Sequence, residues 1–255
     1  EASLASGWHP LPIPESTGDT TLCQHSDNEL AYLQFSSGTT LTPKATPLSH
    51  RNILSNLEAI ASQHPGGRQG HSCVSWLPLY HDMGLIGGLL SAIYCPGSLS
   101  LMTPTAFALN PGRWLDQIAY SRATFSVAPN FALEQLLQRD KCDTDRDLSC
   151  LQRLLLGAET IYPNTLEAFY ERYRPQGLKW EALTPVYGLA EATLGVTFSQ
   201  GPHFGHFSLP TELGKAVERG EGRTLLSLGH PLPGVELSIR DEQGCPLPQD
   251  RKSVV

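Results

Sequence analysis

The sequence predicts an α/β fold. Three observations carry that expectation. Short apolar runs bounded by turn formers alternate with stretches whose apolar residues recur at helical spacing. Residues 111–139 read helix, strand, helix, extending a βαβα alternation that runs through the middle of the chain. With 255 residues and 40% hydrophobic content, the chain can bury a core as one large domain or as one and a half of ordinary size.

Residues 1–28 carry Pro10, Pro12 and Pro14 and then a Ser/Thr/Gly/Asp cluster, with neither helical nor strand periodicity, so residues 1–29 read as an extended lead-in. Residues 30–35 are a mostly apolar run that fits a buried strand. A hydroxyl-rich stretch, 36–44, follows it. Ser49 then caps a helix with apolar positions Ile53, Leu54, Leu57, Ile60 and Ala61, ended by Pro65-Gly66-Gly67. Residues 74–79 are a second buried strand, 85–94 a Gly-containing buried helix, and 98–102 a strand. Helices are expected over 111–120, 130–139 and 163–173, and strands over 123–128, 151–156 and 183–186. Residues 200–222, rich in Gly, His, Pro and Glu, read as a surface loop or insertion. Residues 235–239 alternate and precede the turn Asp241-Glu242-Gln243-Gly244, which predicts the start of a β-hairpin.

Composition removes several function classes. A formal charge of −7 and scattered Lys and Arg argue against a nucleic-acid surface. Cys23, Cys73, Cys95, Cys142, Cys150 and Cys245 form no C-x-x-C or Cys/His pattern, so they read as reduced thiols of a cytoplasmic protein, not a zinc site or disulfide framework. No apolar run has membrane-spanning length, so membrane insertion is not expected.

Chemistry concentrates where predicted strands end. Ser36, Ser37, Thr39 and Thr40 offer hydroxyls and backbone N–H groups to phosphate oxygens, Gly38 permits close approach, and Lys44 supplies a cation. The single glycine and the Pro43-Lys44 order exclude a Walker loop, although a solvated Ser/Thr loop has the same composition. His81 and Asp82 are either a catalytic pair or a hydrogen-bonded structural one. Met83, Leu85, Ile86 and Phe131 suit an apolar pocket or the core. Gly157-Ala158-Glu159 and the segment 187–193 each follow a predicted strand, and in open α/β sheets ligands bind beyond the carboxyl ends of strands. The placement points to one shared site.

Ser36-Ser37-Gly38-Thr39-Thr40 with Pro43-Lys44, followed by Leu48-Ser49-His50-Arg51-Asn52, resembles the phosphate-loop signature of the adenylate-forming superfamily of acyl-CoA synthetases, adenylation domains and luciferases. The segments 76–88, 128–132 and 187–194 look like its fatty acyl-AMP ligase branch, and with 228–234 included the match runs in order from about residue 30 to 248. The resemblance implies the fold of that family's large N-terminal domain, layered β-sheets with flanking helices, here incomplete at both ends. Residues 30–255 would be a partial AMP-binding core without the small C-terminal domain. It implies ATP-dependent activation of a carboxylic, fatty acid to an acyl-adenylate with release of pyrophosphate, then transfer to the phosphopantetheine thiol of an acyl carrier protein. The cofactors implied are ATP and Mg2+.

On matching positions, the resemblance implies that Ser36, Ser37, Gly38, Thr39, Thr40 and Lys44 hold phosphates and that Glu191 binds magnesium. Thr193 would reach the α-phosphate, making Glu191, Lys44 and Thr193 the catalytic set. Tyr187 and Gly188 would lie against adenine, with Gly157, Ala158 and Glu159 on its other side. His81, Asp82, Met83, Leu85, Ile86 and Phe131 would contact the acid substrate. Leu41 and Ala45 stand where the family commonly has Gly, and Leu41 is expected to affect turnover more than recognition. The family's ribose-binding Asp, its hinge and its mobile domain with a catalytic Lys lie past residue 255, so this segment by itself is expected to be weak or inactive. An acyl-CoA ligase and a degenerate nucleotide-binding scaffold are the alternative readings.

Overall fold

The computed structural model describes residues 25–36, 44–141, 145–208, 218–219, 223–241 and 243–247. In chain order they form β1 (Leu30–Ser36), β2 (Lys44–Ser49), α1 (His50–Ala61), β3 (His71–Ser75), a π-helix (Met83–Leu90) continued by α2 (Ser91–Tyr94), and β4 (Gly97–Leu101). Next come α3 (Pro104–Leu109), α4 (Gly112–Ser121), β5 (Phe125–Ala128), α5 (Asn130–Arg139), β6 (Arg153–Leu156), α6 (Pro163–Tyr173), β7 (Leu183–Gly188) and β8 (Gly195–Phe198). The last elements are β9 (Phe204–Ser208), β10 (Glu218–Arg219), β11 (Arg223–Leu226) and β12 (His230–Pro231).

The main sheet has seven strands in the order β12-β8-β7-β6-β5-β3-β4. From β4 to β7 every pairing is parallel, and β8 and β12 add antiparallel strands at one edge. Because β4 leaves β3 on one side and β5 joins it on the other, the winding reverses at β3, which opens a crevice at the carboxyl ends of the strands. Helices cover both faces. Cys73 and Phe125 pack with Ala92 of α2 on one side, while Trp114 of α4 donates its indole N–H to Ser126 (2.9 Å) on the other. Strands buried on both faces are continuous apolar runs, as Leu154, Leu155 and Leu156 of β6 show.

The α/β expectation stands, and α5 and α6 match residues 130–139 and 163–173. Several elements differ. Residues 30–35 are not a buried sheet strand: among the described residues β1 pairs only with β2 in an antiparallel ribbon, leaving Leu30, Leu33 and Phe35 exposed. Pro47 disguised β2, since proline is tolerated in a strand mainly at an edge, and both ribbon strands are edges. The strand placed at 74–79 ends at Ser75, whose carbonyl accepts the last ladder bond from Met102 N–H (2.8 Å), and Pro78 beyond it has no N–H to pair. The buried helix starts two residues early, at Met83, and is a π-helix as far as Leu90. Helix α3, capped by the Thr103 hydroxyl, was not anticipated.

Residues 200–222 are not all loop: β9 and β10, together with β11, make a small antiparallel sheet in the order β10-β9-β11. Residues 235–239 form no strand, and the expected hairpin is reduced to one bridge between Arg240 and Pro246 around the Asp241 turn. Of the cysteines, Cys73, Cys95, Cys150 and Cys245 are free thiols, and Cys23 and Cys142 lie outside the described residues. Among the described residues, no helix is long and apolar enough to cross a membrane.

Candidate active site

A cavity of about 190 Å3 lies at the carboxyl edge of the sheet. Its rim is polar, with His81 and Asp82 from the segment after β3, Ala158 after β6, and Tyr187 and Gly188 at the end of β7. Its interior is apolar: Ile60 of α1, Met83 of the π-helix, Val127 of β5, Leu155 of β6, Val186 of β7, Leu194, and Phe198 of β8.

Local backbone chemistry sets the rim. Met83 N–H donates to Asp82 Oδ1 (2.6 Å), so the Asp82 carboxylate caps the π-helix. A Cβ on Gly84 would stand 2.3 Å from the Pro78 carbonyl oxygen, so only glycine lets the chain fold back from Pro78 and present His81 and Asp82 at the mouth. Gly188 has the same constraint against the Leu194 carbonyl, 2.0 Å from an added Cβ, where β7 and β8 close on each other. Ala158 (φ 68°) and Thr193 (φ 74°) are non-glycine residues with left-handed φ, and both sit in segments leaving these strand ends. Such strain persists only where the surroundings hold it, and it concentrates at ligand sites.

His81 Nδ1 lies 2.8 Å from Asp82 Oδ1. That hydrogen bond raises the imidazole above the usual histidine range; partial burial opposes the shift, and the charge of Asp82 reinforces it. About half of the His81 side chain stays exposed, at 52%, so it faces the mouth while its partner, at 14%, is anchored. The pair therefore offers a positively inclined imidazole to an anion entering the cavity.

Gly157 and Ala158 after β6 and Tyr187 and Gly188 at the end of the neighbouring β7 line the cavity together, which brings both sequence motifs to one place. Glu159 is engaged elsewhere. Its Oε1 accepts the Phe131 N–H (2.6 Å), satisfying one of the unpaired donors in the first turn of α5. Phe131 is 44% exposed and packs edge-on against Trp76, 5.9 Å between ring centres, outside the cavity lining. Ile86 packs with Leu48 and Leu57, with Leu85 beside them, so these two residues fasten the π-helix to α1 and the ribbon. Of the apolar substrate candidates, Met83 lines the cavity.

Ser36 and Lys44 are cross-strand partners at the open end of the ribbon, so residues 37–43 are the connection between them. Ser37, Gly38, Thr39, Thr40 and Leu41 lie outside the described residues. The ribbon meets the site on two sides. Gln34 Nε2 donates to the Tyr80 carbonyl (3.4 Å), and β1 packs beside the turn Ala190–Ala192 that carries an exposed Glu191. Thr193 follows that turn and is buried.

Sequence reasoning missed Ile60, Val127, Leu155, Leu194 and Phe198 as lining residues, because each reads as ordinary core. It also missed Asn56, a buried polar residue whose side-chain amide bonds both backbone groups of Gly195. The signal was present: Asn56 interrupts the apolar stripe Ile53, Leu57, Ile60 of α1.

A family model described as AMP-binding enzyme matches residues 6–253. The 4-hydroxyphenylalkanoate adenylyltransferase of Mycobacterium tuberculosis is 38% identical over 213 residues, which cover 79% of this chain and 34% of that protein. The long-chain-fatty-acid–AMP ligase FadD32 of Mycobacterium marinum is 40% identical over 187 residues, 70% of this chain and 29% of that protein. A crystal structure of a fatty acyl-adenylate ligase from Legionella pneumophila, in complex with acyl adenylate and pyrophosphate, superposes with a TM-score of 0.82 at 33% identity, over 90% of this chain and 42% of that one. The chain thus spans about a third of the length of the two mycobacterial relatives. Fold, motif positions and sequence similarity agree that this chain belongs to the AMP-binding enzyme family.

Proposed function

We propose that the protein containing this chain activates a carboxylic acid, of fatty type, by forming an acyl-adenylate from ATP with release of pyrophosphate. The observation that carries this reading is the convergence of three separate motifs, His81–Asp82, Gly157–Ala158 and Tyr187–Gly188, on a cavity with a polar rim and an apolar interior. An acid with a hydrocarbon body needs both. Its carboxylate belongs at the His81 end and its chain among Met83, Val127, Leu155 and Phe198, where burying each methylene is worth about 0.8 kcal/mol.

In the reaction, a carboxylate oxygen attacks the α-phosphorus of ATP as the bond to the bridging oxygen of pyrophosphate breaks, and pyrophosphate leaves with the electron pair. The acid is already ionised at neutral pH, so no general base is required. His81 serves to hold and orient the carboxylate. Tyr187 presents its partly exposed ring beside Gly188, a flat surface for the adenine, with Gly157 and Ala158 lining the same cavity. Lys44 and the hydroxyls of Ser36, Ser37, Thr39 and Thr40, with the backbone at Gly38, are assigned to the β- and γ-phosphates, and Thr193 to the α-phosphate. Catalysis of this kind is positioning plus electrostatic stabilisation of the departing charge.

Among the described residues, no three His, Cys, Asp or Glu side chains gather as a metal cage. Magnesium that takes most of its ligands from phosphate and water needs only one or two carboxylates, and exposed Glu191 fits that donor set. When bound there, magnesium would neutralise phosphate charge. The acceptor of the acyl group is assigned to a carrier-protein phosphopantetheine thiol.

The test is carboxylate-dependent exchange of pyrophosphate into ATP by the complete protein. Exchange with medium- or long-chain acids is the expected result, and none across a broad panel of acids would sink the proposal. Mass spectrometry of products formed with coenzyme A or holo-carrier protein decides the acceptor, free acyl-CoA in quantity overturning the carrier assignment.

A further inference from the structure

Thr193 occupies a backbone state that its side chain disfavours. With φ 74° and ψ −60°, and with Leu194 N–H donating to the Ala192 carbonyl at 2.9 Å, it is the centre of a three-residue γ-turn of the rare, strained hand. A β-branched residue at positive φ is an outlier even within that class. Something outside the turn must hold it.

The holder is visible on the next residue but one. Asn56 Nδ2 donates to the Gly195 carbonyl (2.8 Å), and Gly195 N–H donates to Asn56 Oδ1 (2.9 Å). This is the paired donor and acceptor that a neighbouring strand would supply. On its other side Gly195 pairs with Gly188 of β7, whereas β12 pairs with Phe198 and Thr197 of β8 and Leu232 after it donates its N–H to the Val196 carbonyl (2.9 Å), one residue short of Gly195. The Asn56 side chain, 8% exposed, fills the missing strand position. Ile60, one turn further along α1, closes the packing: a Cβ added to Gly195 would come within 3.2 Å of its Cγ1.

Helix α1 also begins directly after β2, the strand that starts with Lys44. A rigid helix therefore runs from the Ser49 end of the ribbon whose other end carries Lys44 to Gly195 at the start of β8, two residues past Thr193. We propose that Asn56 is a positioning residue: by clamping both backbone groups of Gly195 it holds the Thr193 γ-turn and sets Glu191 and Thr193 in register with the ribbon that carries Lys44. The clamp touches neither nucleotide nor acid, and its link to turnover rests on the adenylation reading above.

In the complete protein, Asn56→Ala is expected to lower kcat for pyrophosphate exchange at least tenfold while KM for the acid changes less than twofold. Amide hydrogen exchange should show lost protection at Leu194 and Gly195 with β5 and β6 unaffected. A kcat within twofold of wild type, or unchanged protection at Gly195, overturns the proposal. Thr193→Gly supplies a second arm, since glycine adopts this φ without strain. In that background Asn56→Ala should lower the melting temperature by less than half as much as it does alone, and equal shifts overturn the proposal. If Asn56→Ala alone does not fold, recovery of folded protein in the Thr193→Gly background supports it and failure to recover overturns it. The exchange-protection and melting arms need no turnover. A wild type without exchange activity thus removes the adenylation reading, whereas intact protection in Asn56→Ala removes the clamp alone.

Discussion

Two groups of ionisable side chains lie on different parts of this fold and are built on opposite rules. Under α4, α5 and α6, Arg146 donates to Asp140 (2.9 Å) and to Asp116 (2.6 Å), and Tyr173 donates its hydroxyl to Asp140 (2.8 Å). Burial pulls the Arg146 guanidinium down, but the hydrogen bonds to Asp140 and Asp116 outweigh it and hold the group firmly charged. At the cavity rim, His81 is half exposed, has Asp82 as its one ion-pair partner among the described residues, and stands where an outside anion can reach it. The first group has its charge requirements met from within. The second leaves room for a ligand, and that difference separates a structural network from a site better than residue type does.

The largest effect that tests this contrast is Arg146→Ala. Arg146 and Asp140 side chains are 4% and 5% exposed, and removing one partner of a buried pair strands the other charge, at a cost of about 3–5 kcal/mol. For a chain of this size that corresponds to a fall of roughly 10 °C in melting temperature. Turnover per folded molecule should be unchanged. A loss of stability below about 1 kcal/mol in denaturant titration would show that the network is not what holds these helices together.

Glu191→Gln should do the reverse. An exposed carboxylate contributes little to folding, so the melting temperature should stay within about 1 °C, the usual effect of surface substitutions. Exchange activity at fixed magnesium should fall on the order of tenfold or more, a loss of at least about 1.4 kcal/mol in transition-state stabilisation. Raising magnesium should recover part of it. Equal activity of Glu191→Gln and wild type at low magnesium would remove Glu191 from the metal assignment.

How much of this was legible in the sequence follows from what periodicity and composition can carry. Helices α5 and α6 came out with their observed bounds because helical spacing is a local property fixed by one buried face. The ribbon was misplaced because Leu30, Leu33 and Phe35 look like core residues, and nothing local says that a strand pairs with one neighbour instead of joining the sheet. His81, Asp82, Gly157, Ala158, Tyr187 and Gly188 were found as motifs at strand ends, and the cavity gathers all six. Phe131, Leu85 and Ile86 show the limit: adjacency to a motif does not reveal which way a side chain turns, and packing against Trp76 or Leu57 decided it. The strained φ of Ala158 and Thr193 had no signature at all, since neither is a residue type that favours it.

Asp82→Asn gives the smallest and most selective effect. The hydrogen bond that His81 donates to the Asp82 carboxylate raises the His81 pKa, so the folded protein keeps the imidazole charged to higher pH than an isolated histidine would. Whatever the cation contributes, to stability or to holding the carboxylate, is fully present below the ordinary histidine range and is lost as pH rises through the raised value. Neutral asparagine still accepts the Met83 N–H through its side-chain oxygen, so the start of the π-helix is retained, but the support for the charged imidazole is weakened. The alkaline limb of kcat/KM for the acid should therefore move to lower pH, with kcat near its optimum changing only a few-fold. The His81 titration followed by NMR should move in the same direction in the absence of substrate. A downward NMR shift without movement of the activity limb would mean that His81 is merely a neighbour of the bound acid, and the polar rim would then work through Tyr187 and the backbone at Gly188 alone.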